Sequence, residues 1–356
     1  MKFRYLHIIC LMMAVLACSK TESDPEPVVQ PGDALSIGVT TRSGEPELPA
    51  GNYGLFGIEY AYNATPPSWN PSPSTFYHTN KSAALNATDK KLDFGNNCRY
   101  PINDYLSVFL YYPHNIAVTT PNIIPVGRTV TTDSNGNAAD KYPDYLGGKQ
   151  YISVVGGAPN SSSETTVEMS HLMSRVRFQT KNAGAAEIEL LSVKLVGIRW
   201  SGAINPLMTI NPLIIGTVNG YFTPGTGVTP ETVTLITNFE IPANLSGSTT
   251  PRPIQVDPKY NYSDKEAIEV YDEDNKYYIL VPPLDETALQ SVKLEVEFSK
   301  YGAPHSAVID MKHISVQQWL PGHSYSYTLT FSTYTIDYID IQIEPWLKEL
   351  YAGSVM

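Results

Sequence analysis

The chain has 356 residues, a net charge of −11, 42% hydrophobic residues and only 17% charged ones. That length suggests two domains, and the acidic balance excludes a nucleic-acid partner, because phosphate binding needs a basic face. With 24 Tyr and 28 Pro and so little charge, the composition argues against a helical protein and for short strands joined by turns.

Lys2 and Arg4 form a short basic region, and Leu6 to Leu16 is an apolar stretch too short to span the ~30 Å hydrocarbon core of a bilayer. It ends in Val15-Leu16-Ala17-Cys18, which resembles a bacterial lipobox. That resemblance implies a lipoprotein signal peptide over residues 1–18, with Cys18 becoming the acylated first residue. Residues 19–32 are polar, acidic and Pro-rich, and form a linker. Cys10 falls in the signal and Cys18 takes the lipid. Cys98 then has no partner for a disulfide and is expected to be a buried structural thiol.

Leu35, Ile37 and Val39 alternate with Ser36, Gly38 and Thr40, so one face of this first strand belongs in a sheet. Arg42 and Ser43 follow at once, in a charged stretch that a trypsin-like or Arg-specific protease could reach. Pro-rich Ala64 to Pro73 is expected to be a surface loop. Val108, Leu110 and Tyr112 lie in an apolar run ended by Pro113. The Ser/Asn/Gly-rich stretch Gly156 to Ser163 marks a boundary, which places an N-terminal β-sandwich at 33–163 and a C-terminal one at 164–356.

The second domain opens with Val176 and Phe178 alternating with Arg175 and Arg177, and Leu190 to Val196 is a further run. Asp272-Glu273-Asp274-Asn275 lacks the Gly and the distant Glu of a calcium loop and is expected to be a polar hairpin turn. Tyr277 to Val281 is stopped by Pro282-Pro283. Leu294, Val296 and Phe298 alternate with charged residues, and Tyr325, Tyr327, Leu329 and Phe331 with Ser and Thr. In the tail, Ile339, Ile341 and Ile343 alternate with Asp340, Gln342 and Glu344. Short helical turns fit Ala83 to Lys91, Asp285 to Gln290 and Trp346 to Leu350. The pattern is all-β, built as antiparallel sandwiches.

No HExxH pair, nucleophile elbow or phosphate-binding loop occurs in the chain. No catalytic residue, metal ligand or cofactor is therefore expected. Trp69 and the Tyr-rich loops could stack sugars, which makes a carbohydrate-binding surface lipoprotein one alternative.

A strand at each end of the chain, each with one apolar face, is what strand exchange between subunits requires. Five pieces follow one another along nearly the whole chain. They are the lipobox at Cys18, the strand Leu35 to Thr41 with Arg42 behind it, and His171 followed by Arg175-Val176-Arg177-Phe178. Then come Trp319 with Pro321-Gly322 and Tyr325-Ser326-Tyr327, and the tail Ile339 to Trp346. In this order they resemble a fimbrillin, the subunit of the type V pili of Bacteroidia.

The resemblance implies two transthyretin-like sandwiches and a precursor carried to the outer membrane by lipid on Cys18. It implies an Arg-specific surface protease that cuts between Arg42 and Ser43 and so displaces the first strand, with its Leu35, Ile37 and Val39. It further implies that other copies of the chain, or related pilins, supply a donor strand through Ile339, Ile341 and Ile343. A pilus anchor or tip adhesin of the same family is a second alternative, the anchor keeping its lipid and first strand. Cleavage after Arg42 would remove four basic and four acidic residues, so the mature charge stays at −11.

Overall fold

The computed structural model describes residues 32, 34–41, 48–61, 69, 76–95, 98–101, 104–127, 129–132, 138–141, 143–154, 165–208, 219–235, 239–243, 250–256, 277–313, 318–332 and 335–345. The Asp272–Asn275 turn and the Trp346–Leu350 helical turn lie outside the described residues.

Ten strands come first: β1 (Ser36–Thr41), β2 (Asn52–Tyr60), β3 (His78–Asn86), β4 (Lys91–Asp93), β5 (Tyr105–Tyr112), β6 (Ile124–Val126), β7 (Thr129–Thr132), β8 (Ala138–Lys141), β9 (Leu146–Ile152) and β10 (Thr166–His171). Then follow β11 (Ser174–Asn182), β12 (Ile188–Ile198), β13 (Gly202–Ile204), β14 (Phe222–Pro224), β15 (Glu231–Thr234), β16 (Phe239–Ile241), β17 (Arg252–Pro253) and β18 (Tyr278–Val281). A single-turn helix, α1 (Glu286–Leu289), precedes β19 (Lys293–Lys300), β20 (Ala303–Asp310), β21 (His323–Phe331) and β22 (Ile336–Pro345). The protein is all-β, as its alternation pattern requires.

In the first unit the strands run in the order β1-β10-β9-β5-β2-β3-β4 and close on themselves where β4 meets β1. Its core gathers Leu35, Ile37, Val39, Tyr53, Leu55, Leu92, Tyr100, Leu106, Val108, Leu110, Val167 and Met169. The central pair, β2 and β5, is buried on both sides. Phe56, Ile58, Phe109 and Tyr111 face a second cluster continuous with the core of the other unit. Double burial explains why β5 is a nearly unbroken apolar run instead of an alternating one.

The second unit is a sandwich of two sheets, β17-β11-β21-β22 with β18 also on β11, and β15-β12-β19-β20 with β16 also on β12. The two units are joined by pairing as well as by packing: β13 lies between β14 and β6, with Gly202 opposite Val126 and Ile204 opposite Ile124.

Three local details bear on the sequence-based expectations. Residues 166–171, which follow the boundary expected at 163, form β10, which pairs with β1 and β9. Its alternating Val167, Met169 and His171 are compatible with either sheet, and only pairing distinguishes them. The stretch Ala83 to Lys91 is not helical. It finishes β3, turns at 87–90 with Lys90 at a positive φ of 55°, and enters β4. Two contacts are parallel, β1 with β10 and β11 with β21, and each has the long connection that parallel pairing needs. The Asp285 to Gln290 turn forms as expected, with the Asp285 carboxylate accepting from the Ala288 N–H at 2.7 Å.

The second core contains one consequential polar contact. The Trp319 indole N–H donates to the Tyr327 hydroxyl at 2.9 Å, and both rings are fully buried. Tyr327→Phe would leave that N–H unsatisfied, and the expected loss is about 1–3 kcal/mol, measured as a lowered urea midpoint with an unchanged slope.

Candidate functional site

The site is the slot that β1 occupies. Leu35 and Ile37 are 0% exposed and Val39 is 4% exposed. Both edges of the strand are paired. Toward β10 it runs parallel, with Gly38 opposite Thr166, Val39 opposite Val167 and Thr40 opposite Glu168. Toward β4 it runs antiparallel, with Ser36 opposite Asp93, Ile37 opposite Leu92 and Gly38 opposite Lys91. The Leu35 N–H donates to the Cys98 carbonyl at 2.8 Å, the Phe94 N–H donates to the Leu35 carbonyl at 3.2 Å, and the Val39 N–H donates to the Lys90 carbonyl at 2.9 Å. Gly38 sits where a Cβ would come within 2.9 Å of the Thr166 hydroxyl, so the outer face of the strand is tightly flanked there.

Burying three aliphatic side chains stabilises the plug by about 5–9 kcal/mol as an upper estimate. Its backbone pairs add about 1 kcal/mol each. Without β1, the row of groups along β4 and β10 would be left unpaired, and an unpaired row is a template for another strand.

Tyr100 pins the slot. Its hydroxyl donates to the Ser36 carbonyl at 2.8 Å, and burial pushes its pKa up to about 12. An acid whose folded pKa is raised keeps its proton longer in the fold than in the unfolded chain. Stability is therefore unaffected below the unfolded value near pH 10 and falls as pH rises from there to about 12. Tyr100→Phe is expected to remove its own share of the alkaline loss in a urea-unfolding series, leaving that of the other buried tyrosines, and to cost about 1 kcal/mol at neutral pH. Cys98, beside the slot, is a buried free thiol, and burial raises its pKa.

At the other end of the chain, β22 folds back on β21 as a hairpin, with Ile339 opposite Leu329, Ile341 opposite Tyr327 and Ile343 opposite Tyr325. Among the described residues it is the last strand of its sheet. Ile339 and Ile341 are only half-buried there, and Ile343 is 49% exposed. The three isoleucines are thus poorly covered where they lie, whereas the three positions of the first strand are sealed.

Cys18, Arg42 and Ser43 lie outside the described residues. In chain order the Arg42–Ser43 bond falls between β1, which ends at Thr41, and β2, which starts at Asn52. Trp69, considered for sugar stacking, is 6% exposed and packs 6.0 Å from Phe109, so its ring fills the core. A buried polar contact joins His171 Nδ1 and Asp144 Oδ2 at 2.8 Å and ties the segment before β9 to the end of β10. Among the described residues no group of three or more His, Cys, Asp or Glu side chains could hold a metal, and no helix is long and apolar enough to cross a membrane.

The walls of the slot, β4 and β10, were not anticipated. The signal for β4 was present, since Leu92 and Phe94 alternate with Lys91 and Asp93, but it is only three residues long.

The fold and the slot define a class of protein: two β units, the first a closed sheet completed by the most N-terminal strand among the described residues, the second a two-sheet sandwich. A family model described as fimbrillin-like matches residues 56–346, and the chain belongs to that family. Membership places it among fimbrial proteins of the cell surface. No protein of curated function matches. Solved structures similar to it include a fimbrial protein from Bacteroides vulgatus, 15% identical, with a TM-score of 0.49 and 88% of this chain and 99% of that one covered. A fimbrial assembly protein from Parabacteroides distasonis is 10% identical, with a TM-score of 0.39 and 88% and 95% covered.

Proposed function

We propose that this chain is the structural subunit of a cell-surface fimbria. It is exported as a lipoprotein acylated at Cys18, matured by an Arg-specific protease between Arg42 and Ser43, and polymerised by strand exchange. Cleavage frees β1 from the covalent chain, β1 leaves, and β22 of a second copy enters the slot. The chain carries out no reaction of its own.

The observation that carries this reading is the difference in burial between the two strands. Leu35, Ile37 and Val39 are sealed inside the first unit, while Ile339, Ile341 and Ile343, at the same i, i+2, i+4 spacing, are half-covered or exposed at a sheet edge. Moving the isoleucines into the slot completes their burial, and hydrophobic gain scales with the area removed from water. While β1 is tethered, its effective concentration keeps the slot filled. Cutting the tether removes that advantage.

The test is the first residue of protein purified from cell-surface material, read by mass spectrometry. Ser43 is expected. An acylated Cys18 on material integrated in the fibre would overturn the processing step and favour an anchor of the same family instead.

A further inference from the structure

The outer face of the slot carries charge. Lys91 and Asp93 on β4 and Glu168 on β10 are exposed, opposite Gly38, Ser36 and Thr40. Asp93 also accepts from the Gly95 N–H at 2.8 Å. The outward residues of β1 are Ser36, Gly38 and Thr40, so the present occupant ignores this pattern. The tail cannot, because its outward positions are Asp340, Gln342 and Glu344, all exposed.

Filling all three apolar sites with the three isoleucines leaves two solutions, one for each direction of the incoming strand. In the direction of β1, Ile339, Ile341 and Ile343 replace Leu35, Ile37 and Val39. Asp340 then faces Asp93, and Glu344 faces Glu168. In the reverse direction Ile343, Ile341 and Ile339 take those sites. Gln342 then faces Asp93, uncharged Tyr338 falls opposite Glu168, and Asp340 comes opposite Lys91 and beside the Thr166 hydroxyl.

Directly opposed like charges destabilise a strand pair, and opposite charges support it. The reverse direction therefore replaces two repulsions with one attraction. It also makes the longer contact, the four-residue ladder with β10, antiparallel, which is the more stable pairing per residue. The Thr41 end is buried opposite Met169. It receives Pro345, which has no N–H for the ladder, in the direction of β1, and Asp337, whose carboxylate is costly to bury, in the reverse one, so this end offsets part of the preference.

Resting on the proposed strand exchange, we infer that β22 of a second copy enters the slot in the direction opposite to β1, with Asp340 paired to Lys91. Lys91 is then the residue of the slot that selects the direction of its partner.

The experiment uses mature subunits carrying cysteine pairs, oxidised after assembly and run on non-reducing gels. K91C with D340C is expected to give a covalent ladder, and D93C with D340C little or none. The opposite result would overturn the inference, and so would polymers that give neither ladder. Failure of the unsubstituted mature subunit to polymerise would instead overturn the strand-exchange reading itself. Charge exchange provides a second measurement. K91E should slow assembly about fivefold, and K91E with D340K should restore it; an unchanged rate in K91E would count against the assigned pair.

Discussion

Arg42→Ala should leave the precursor folded, uncut and monomeric. β1 and the rest of the first unit would remain one covalent chain, so the plug would compete with an incoming tail at the effective concentration of a short tether. That advantage is on the order of 10²- to 10⁴-fold, and the assembly rate should fall by a comparable factor. The precursor is expected to lose no stability, since in chain order Arg42 follows Thr41, the last residue of β1. The checks are a mass shift on the subunit, sedimentation of the assembled material, and an unaltered urea midpoint. Fibres of undiminished length from the variant would refute processing as the trigger. The same variant with residues 336–356 deleted should also be monomeric, whatever protease is added.

Placing one charge in each of the two strands should have opposite consequences for folding and assembly. Ile37 is 0% exposed, so Ile37→Asp puts an unpaired carboxylate in the first core and should destabilise the precursor by about 3–5 kcal/mol. The mature chain that begins at Ser43 lacks this position and should be indistinguishable from the unsubstituted protein. Ile341 is only half-buried at the edge of its sheet, and Ile341→Asp should cost the monomer about 1 kcal/mol. In the slot, however, position 341 takes the place of Ile37 in either strand direction, so the same charge would be fully buried. Assembly should then weaken by at least about 10²-fold, the equivalent of about 3 kcal/mol. Urea unfolding of the monomers and electron microscopy of assembled material separate the two effects. Normal fibres from Ile341→Asp would mean that the tail does not fill the first core.

Both terminal strands were legible because each is an unambiguous period-two pattern in which the apolar set cannot be moved to the other face without exposing it. Leu35, Ile37 and Val39, and Ile339, Ile341 and Ile343, identify themselves in this way. The walls of the slot did not. β4 is three residues long and follows the turn at 87–90, so its alternation was too short to separate from a helical turn. β10 alternates clearly, but alternation says only that one face is buried and not in which core. Trp69 was ambiguous for a related reason: a large aromatic residue in a Pro-rich stretch suits a sugar platform and a core equally, and only packing on Phe109 separates them.

The amino-acid sequence by itself determined the all-β class, the strand faces, the acidic and lightly charged surface, and the presence of an alternating strand near each end of the chain. These follow from local periodicity, which depends on neighbours two residues apart. The tertiary structure decided which strands lie side by side: β1 between β4 and β10, β10 in the first unit, β13 against β6 across the units, and β22 at an edge where its isoleucines remain half-covered. Pairing partners are chosen by how two distant segments fit the same core and the same row of backbone groups. No local pattern records that choice, and the charges of Lys91, Asp93 and Glu168 acquire a direction-setting meaning only once the pairing is known.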